Sequence, residues 1–162
     1  MIKRKGDGIA LSFQGGYEKS TNGQADVISF GPIVELASRK LLITLNPLFT
    51  DQVGPKRETE GLGFDYGWRA EYDLVEHWGV GIEMFGEIED LSNAGSFNQQ
   101  NHSIGPTLFY QHGGSEVGEA GGDEGRSPRL PETEISLNVG VQFGLTDASS
   151  DTALKFQGTL AF

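Results

Sequence analysis

The sequence contains no cysteine and few basic residues. Its 162 residues include 12 Lys and Arg against 23 Asp and Glu, which gives a formal net charge of −11. Without cysteine the chain has neither a disulfide framework nor a thiolate metal site. Because phosphate backbones are bound by basic surfaces, we expect no nucleic-acid partner.

Long apolar runs and recognisable ligand patterns are also missing. No stretch of about 18 apolar residues is present, which excludes a transmembrane helix. The three histidines, His77, His102 and His112, lack metal-ligand spacing and have no serine or aspartate beside them in a catalytic pattern. We therefore predict no metal, no cofactor and no enzymatic activity, with a membrane lipase or acyltransferase as a minor alternative.

Many short segments of the sequence alternate between apolar and polar residues. Successive side chains of a strand point to opposite faces, so this pattern predicts strands with one apolar and one polar face. The clearest such segment runs from Gly61 to Leu74. The pattern predicts eight strands, over residues 8–18, 25–36, 41–50, 61–74, 78–89, 102–111, 132–145 and 152–162.

The segments between these strands are short or polar. Asn22-Gly23 is a strong hairpin signal, and residues 112–131 are rich in Gly, Glu and Asp, so we expect a flexible insertion loop there. Pro32 and Pro47 predict bulges or local edges, because proline cannot donate to a ladder. Sequential strands of this kind predict one all-β domain over residues 1–162, an antiparallel up-and-down barrel of about eight strands.

Alternation leaves open whether the apolar face meets a soluble core, as in a lipocalin-like barrel, or lipid. Glycines on the polar face favour lipid, since they weaken a solvated strand but suit a crowded lumen. Aromatic residues near strand ends fit the girdles of a membrane barrel. We therefore predict a transmembrane β-barrel. The polar-face glycines are Gly61, Gly63, Gly67, Gly79, Gly81, Gly105, Gly140 and Gly144, and the predicted membrane-interface aromatics are Tyr17, Phe49, Tyr72, Trp78, Tyr110 and Phe162.

The polar face is acidic and would line the barrel interior. It predicts either a pore that favours cations or a plugged interior in which Arg69 bridges Glu83 or Glu87. Eight strands leave an interior just filled by side chains, so we expect the plugged form for this chain alone and an open lumen if strands are added. The predicted lumen-lining residues are Asp65, Arg69, Glu71, Glu83, Glu87, Glu89, Asn138, Gln142 and Lys155.

The last segment ends on Phe162, with apolar residues at every second position before it. This pattern resembles the C-terminal strand of Gram-negative outer-membrane β-barrels. The resemblance implies a location in the cell outer membrane. It also implies two partners: membrane lipid, and the assembly machinery that recognises the final strand.

Six segments resemble a family of outer-membrane transporters associated with aromatic-compound degradation of the phenol meta-pathway type. They are FGPIVE (30–35), LLITLNPLF (41–49), GFDYGWRAEY (63–72), GVGIEMFGEI (79–88), HSIGPTLFY (102–110) and VQFGLTDASSD (141–151). The resemblance implies a porin-like channel or transporter for small molecules, hydrophobic ones among them. Two alternatives remain open: a small structural membrane barrel without transport, and a soluble lipocalin-like ligand-binding barrel.

Members of this family are longer, with a signal peptide and additional strands before the equivalent of residue 8. Residues 1–5 resemble the basic start of a signal peptide, but Gly6-Asp7-Gly8 follows in place of an apolar core. We therefore expect either a mature or engineered form or the C-terminal eight strands of a longer protein.

Overall fold

The computed structural model describes residues 7–113 and 133–161 of the chain. Most of the predicted insertion at 112–131 and the predicted interface aromatic Phe162 lie outside these ranges. Two short 3-10 helices, Leu91–Asn93 and Phe97–Gln99, precede the sixth strand. The strands are β1 Gly8–Glu18, β2 Asp26–Ser38, β3 Leu41–Val53, β4 Gly63–Val75, β5 Trp78–Ile88, β6 Asn101–His112, β7 Glu134–Gly144 and β8 Thr152–Ala161.

All eight strands form one antiparallel sheet in sequence order, and the sheet curls into a half-barrel. The predicted all-β, up-and-down arrangement is confirmed. The predicted closure is not seen in the described residues, because β1 pairs only with β2 and β8 only with β7. Alternation determines which residues share a face, but it does not determine how far a sheet curls per strand, so closure could not be read from it.

The predicted strand limits lie within three residues of the observed ones. The largest difference is at β3, which continues past Thr50 to Val53. This extension is polar and breaks the apolar pattern, but it pairs with the start of β2, with Val53 opposite Asp26. Pairing with a neighbour therefore extended the strand where its own composition predicted a loop.

Prolines coincide with gaps in two of the ladders. Pro32 and Pro47 lie opposite each other between β2 and β3, where the pairs between Phe30–Phe49 and Val34–Leu45 are absent. A similar gap surrounds Pro106, between β6 and β7. The register is the same on both sides of each gap, so these prolines interrupt the ladder locally and do not produce the bulges predicted as one alternative at Pro32 and Pro47.

The apolar face is convex and exposed, whereas the polar face is concave and buried. Ile9 and Leu154 on the convex face are each 77% exposed. On the concave face Glu83 and Thr107 are each only 3% exposed. Phe109 is the one buried apolar side chain among the described residues. This distribution is the reverse of that in an ordinary soluble domain.

Glycines on the concave face lie where neighbouring backbone comes too close for a side chain. A Cβ atom on Gly105 of β6 would collide with the carbonyl oxygen of Val141 on β7. A Cβ on Gly81 of β5 would collide with the carbonyl oxygen of Ala70 on β4. The sharp curl from β4 to β7 therefore depends on the absence of these side chains, which agrees with the prediction of a crowded concave face.

We expect Gly105→Ala to destabilise the fold, because the added methyl group must displace backbone. An overpacked site of this kind costs about 1–3 kcal/mol. The matched control is Gly15→Ala on β1, where the nearest atom to a built Cβ is the Ser29 carbonyl oxygen at 3.7 Å. The free energy of unfolding of both variants is measured by urea titration, with tryptophan fluorescence as the signal. Equal stability of the two variants would contradict the role assigned to Gly105.

Candidate functional site

The concave face gathers the predicted lumen-lining residues. Strand register puts Asp65 directly opposite Glu87, and Arg69 directly opposite Glu83. Glu89 lies one residue past the end of β5, at the end of the sheet that carries the longer loops. The remaining members of the set share the concave face through the register of β4, β7 and β8: Glu71, Asn138, Gln142 and Lys155.

An ion pair crosses the concave face from β8 to β5. The Lys155 Nζ atom donates to Glu83 Oε1 at 2.8 Å and to Oε2 at 2.7 Å. The Thr107 hydroxyl on β6 donates to Glu83 Oε2 at 2.8 Å. Gly140 on β7 lies opposite both Thr107 and Lys155. Because Gly140 has no side chain, the lysine can pass over β7 to reach Glu83.

The depth of Glu83 makes this pair structurally important. A buried carboxylate is costly unless a cation and hydrogen-bond donors neutralise it. Lys155 and Thr107 supply these donors, and the Lys155 ammonium also lies 5.0 Å from the centre of the Phe85 ring. The pair therefore fastens the edge strand β8 to the middle of the sheet.

Sequence reasoning placed both residues in the lumen but did not predict their pairing. Glu83 and Lys155 are 72 positions apart, and no local pattern connects them. The sequence predicts Arg69 as a bridge to Glu83 or Glu87, and the register puts Arg69 opposite Glu83. The Arg69 guanidinium lies 5.5 Å from the centre of the Phe109 ring, and its Nε atom lies 3.9 Å from Glu71 Oε2. Arg69 and Phe109 thus fill the concave face between β4 and β6.

Two other predicted lumen residues lie on β7. Gln142 is 5% exposed, and neither of its amide atoms has a hydrogen-bond partner among the described residues. Asn138 donates from its Nδ2 atom to Gln157 Oε1 on β8 at 3.3 Å. Both amides therefore lie on the concave side of the curl.

The end of the concave face nearest the loops is open and acidic. A cavity of about 430 Å³ there is bordered by Asp65 and Glu87, with Leu48 and Phe85 supplying apolar walls. A larger cavity of about 700 Å³ adjoins it at the mouth. The acidic residues around that mouth are Glu58, Glu60, Glu87, Glu89 and Asp90.

Asp90 at the mouth is held in its charged form. The Ser92 hydroxyl donates to Asp90 Oδ1 at 2.6 Å and the Ser92 amide donates to the same atom at 2.8 Å. These bonds hold the pKa of Asp90 below its ordinary value. The mouth therefore retains this negative charge even in mildly acidic solution.

Aromatic rings form a continuous chain across the convex face near the loops. Neighbouring ring centres lie between 4.6 and 6.0 Å apart along it. Only Phe49 of this chain is among the predicted interface residues. The chain runs through Phe30, Phe49, Phe64, Tyr66, His102 and Phe97.

His102 is enclosed within this aromatic chain. It is 3% exposed, and its Nδ1 atom lies 3.1 Å from the Tyr66 hydroxyl. Its Nε2 atom lies 2.9 Å from Gln100 Oε1, and Phe97 stacks on its ring. Tyr66 also covers Gly86, the neighbour of His102 in the β5–β6 ladder. This histidine is therefore a packed structural residue of the convex face.

A second aromatic group marks the opposite end of the sheet. Trp78 and Tyr110 lie with ring centres 4.8 Å apart, and Tyr72 is nearby on β4, 47% exposed. The predicted interface residue Tyr17 lies at the loop end of β1, where its hydroxyl donates to Asp26. Phe64 and Tyr72 are eight residues apart on β4, so about 27 Å of strand separates the two aromatic groups.

No helix within residues 7–113 and 133–161 is long and apolar enough to cross a membrane. The same ranges contain no group of three or more His, Cys, Asp or Glu side chains that could hold a metal ion. No protein-family model, curated protein or solved structure matches the chain. The resemblance to phenol-pathway transporters therefore stays a prediction from the sequence segments.

We expect Lys155→Met to destabilise the fold by about 3 kcal/mol, because it leaves the Glu83 carboxylate buried without its lysine partner. The double variant Glu83→Leu with Lys155→Met should recover most of this loss. The control is Arg57→Met, which breaks an exposed pair with Asp51 at 3.4 Å and should cost less than about 1 kcal/mol. Urea unfolding measures the free energy of unfolding of all three variants. Equal losses of stability in Lys155→Met and Arg57→Met would contradict the role of Lys155.

Proposed function

We propose that the chain forms the wall of a transmembrane β-barrel in the outer membrane of a Gram-negative cell, and that its concave face lines a passage for small molecules. The observation that carries this proposal is the exposed apolar convex face around a buried polar interior. Each Å² of apolar surface left in water costs about 25 cal/mol. Contact with lipid hydrocarbon removes that cost while leaving the polar interior wet.

The spacing of the aromatic groups supports a membrane position. The roughly 27 Å of strand between them corresponds to a height of about 20 Å if the strands tilt by about 40°, close to the apolar band of about 25 Å in membrane barrels. Tyr72, Trp78 and Tyr110 would lie at one interface. Tyr17 and Phe49 would lie at the other.

The connections suit the same orientation. Two of the three connections at the end of the sheet where β8 finishes are short turns, 39–40 and 76–77, and short turns are typical of the periplasmic side. The third, residues 113–133, is the longest connection in the chain and departs from this rule. The proposal places the end of β8 there, accessible to the assembly machinery. The proposed extracellular loops are 19–25, 54–62, 89–100 and 145–151.

The acidic concave face favours cations over anions in the passage. Asp65 and Glu87 face each other across β4 and β5, and the carboxylates at the mouth extend this negative surface outward. Rings of carboxylates select cations in membrane channels. Small hydrophobic molecules, which the sequence resemblance implies, would contact Leu48 and Phe85 in the adjoining cavity.

A structural membrane barrel without transport is the second candidate. It is favoured by the packing of Lys155 on Glu83 and of Arg69 on Phe109, which fills the concave face from β4 to β8. A soluble lipocalin-like barrel has less support, because it needs an apolar interior. Phe109 is the single apolar side chain buried in the described part of the chain.

We expect Ile82→Arg to impair insertion into lipid vesicles by about 2–4 kcal/mol, because Ile82 lies midway along β5 on the convex face. The matched control is Leu74→Arg near the turn end of β4, which should cost at most about 1 kcal/mol. Ile82 and Leu74 are 50% and 48% exposed, so burial within the protein does not distinguish them. Urea titration of the vesicle-inserted protein measures the loss of stability that each substitution causes.

Equal effects of these two substitutions would contradict the membrane proposal. So would a native chain that folds cleanly in buffer without detergent or lipid.

We expect the folded protein to conduct K⁺ in preference to Cl⁻ in a planar bilayer. Replacing the facing carboxylates by Asp65→Asn with Glu87→Gln should lower the K⁺/Cl⁻ permeability ratio severalfold, because the cavity loses two negative charges. Asp147→Asn, in the loop between β7 and β8, is the control and should change the ratio little. Protein that inserts but never conducts would contradict the passage and favour the structural barrel.

A further inference from the structure

Within residues 7–113 and 133–161 the half-barrel ends in two edge strands, β1 and β8, each paired on one side only. Both edges are apolar toward the convex side: Leu11 and Phe13 are 73% and 71% exposed, and Leu154 and Phe156 are 77% and 70% exposed. Open edges are absent from stable membrane-spanning sheets, since the unpaired backbone groups cannot be satisfied by lipid. Something must therefore pair with each edge.

Neither edge carries the features that usually prevent pairing. Proline and bulges, which commonly protect free edges, are absent from the ladders of β1 and β8. The charge in the middle of β8, Lys155, is bound to Glu83 on the concave side. Both strands therefore present regular edges over 11 and 10 residues, with Glu18 at the loop end of β1 and Lys155 on β8 as their charged residues.

The two edges also carry nearly the same sequence. Residues 10–15 read ALSFQG and residues 153–158 read ALKFQG, identical at five of six positions. When these segments are laid antiparallel, Leu11 falls opposite Phe156 and Phe13 opposite Leu154, all on the convex face. Aliphatic–aromatic pairs of this kind stabilise antiparallel strands. The match suggests that a β1 edge pairs directly with a β8 edge in this register.

We infer that the missing edges are supplied by a second copy of this chain, so that two half-barrels close into one sixteen-stranded barrel. The sheet of one copy curls only through a half-barrel, with β1 and β8 at its two ends. A twofold axis along the barrel brings β1 of each copy to β8 of the other and closes the ring with two identical seams.

The even number of strands makes this closure compatible with a membrane. Because β1 and β8 run in opposite directions within one copy, pairing β1 with the partner's β8 is antiparallel while both copies keep their loops on the same side. Antiparallel pairing of two β1 strands would instead turn one copy upside down.

This inference rests on the proposed membrane function and deepens it. An interior of eight strands is just filled by side chains, whereas sixteen strands leave an aqueous channel. In the dimer, the packed Glu83–Lys155 region of each copy would form part of a wide wall instead of a plug. The acidic cavities of the two copies would then face one lumen.

The absence of native cysteine allows a clean cross-linking test. Chains carrying only Ala10→Cys are mixed in urea with chains carrying only Gln157→Cys, refolded into detergent micelles and oxidised. The neighbouring pair Leu11→Cys with Phe156→Cys is tested in parallel, since adjacent antiparallel pairs alternate between close and wide spacing. The collision control mixes Tyr72→Cys, on β4 away from both edges, with Gln157→Cys.

The inference predicts a covalent dimer from at least one edge pair, in about tenfold excess over the control. It also predicts a protein mass in detergent, by light scattering, of twice the 17.5 kDa of one chain. A monomeric mass would overturn the inference. So would a cross-link that forms only when Ala10→Cys and Gln157→Cys are in the same chain, because β1 would then pair with β8 of its own copy. A detergent-folded protein without any edge cross-link would overturn it as well.

Failure of the closure is distinguishable from failure of the membrane proposal. A monomer that folds only in detergent would overturn the two-copy barrel and leave the membrane position standing. A chain that folds in plain buffer would overturn the membrane position, whatever its cross-linking pattern.

Discussion

A buried carboxylate must be neutralised where it lies, and in this sheet Lys155 reaches Glu83 from three strands away. That contact requires the sheet to curl strongly between β5 and β8, and it requires the intervening β7 position to lack a side chain, which Gly140 satisfies. The Thr107 hydroxyl on β6 donates a further hydrogen bond to Glu83. The curvature of this half of the sheet, the position of its edge and the polarity of its interior therefore depend on one interaction.

The same curl determines which surface of the sheet stays exposed. Once the charged and amide side chains occupy the concave side, most aliphatic and aromatic residues of the described strands face outward, with Phe85 and Phe109 among the exceptions. Phe49, Phe64 and Tyr66 then meet across neighbouring strands and join a chain of rings with His102 and Phe97. The convex surface is thus organised by contacts between its own side chains, and no described element packs over it.

The strands and their faces were predictable from the sequence because a strand has a period of two. The alternation around Gly61–Leu74 and over the last thirty residues located β4, β7 and β8 to within three residues. The pairing of Glu83 with Lys155 and the aromatic chain through His102 were not predictable, because each depends on strand register and curl across distant segments. The sequence left the degree of closure open for the same reason.

The two gaps in the backbone ladder divide the sheet. Three consecutive residue pairs are absent at Pro32 and Pro47, and two at Pro106, whereas the ladders from β3 to β6 have one irregularity, between Asp73 and Val75 at the turn end of β4. Missing hydrogen bonds lower the resistance of a sheet to bending. The half-barrel is therefore a stiff central panel with a two-stranded flap on either side. Side-chain contacts on the concave side nevertheless cross both gaps, from Gln14 on β1 to Asn46 on β3 and from Lys155 on β8 to Glu83 on β5. A change in the opening between the two edges would therefore have to break one of these contacts.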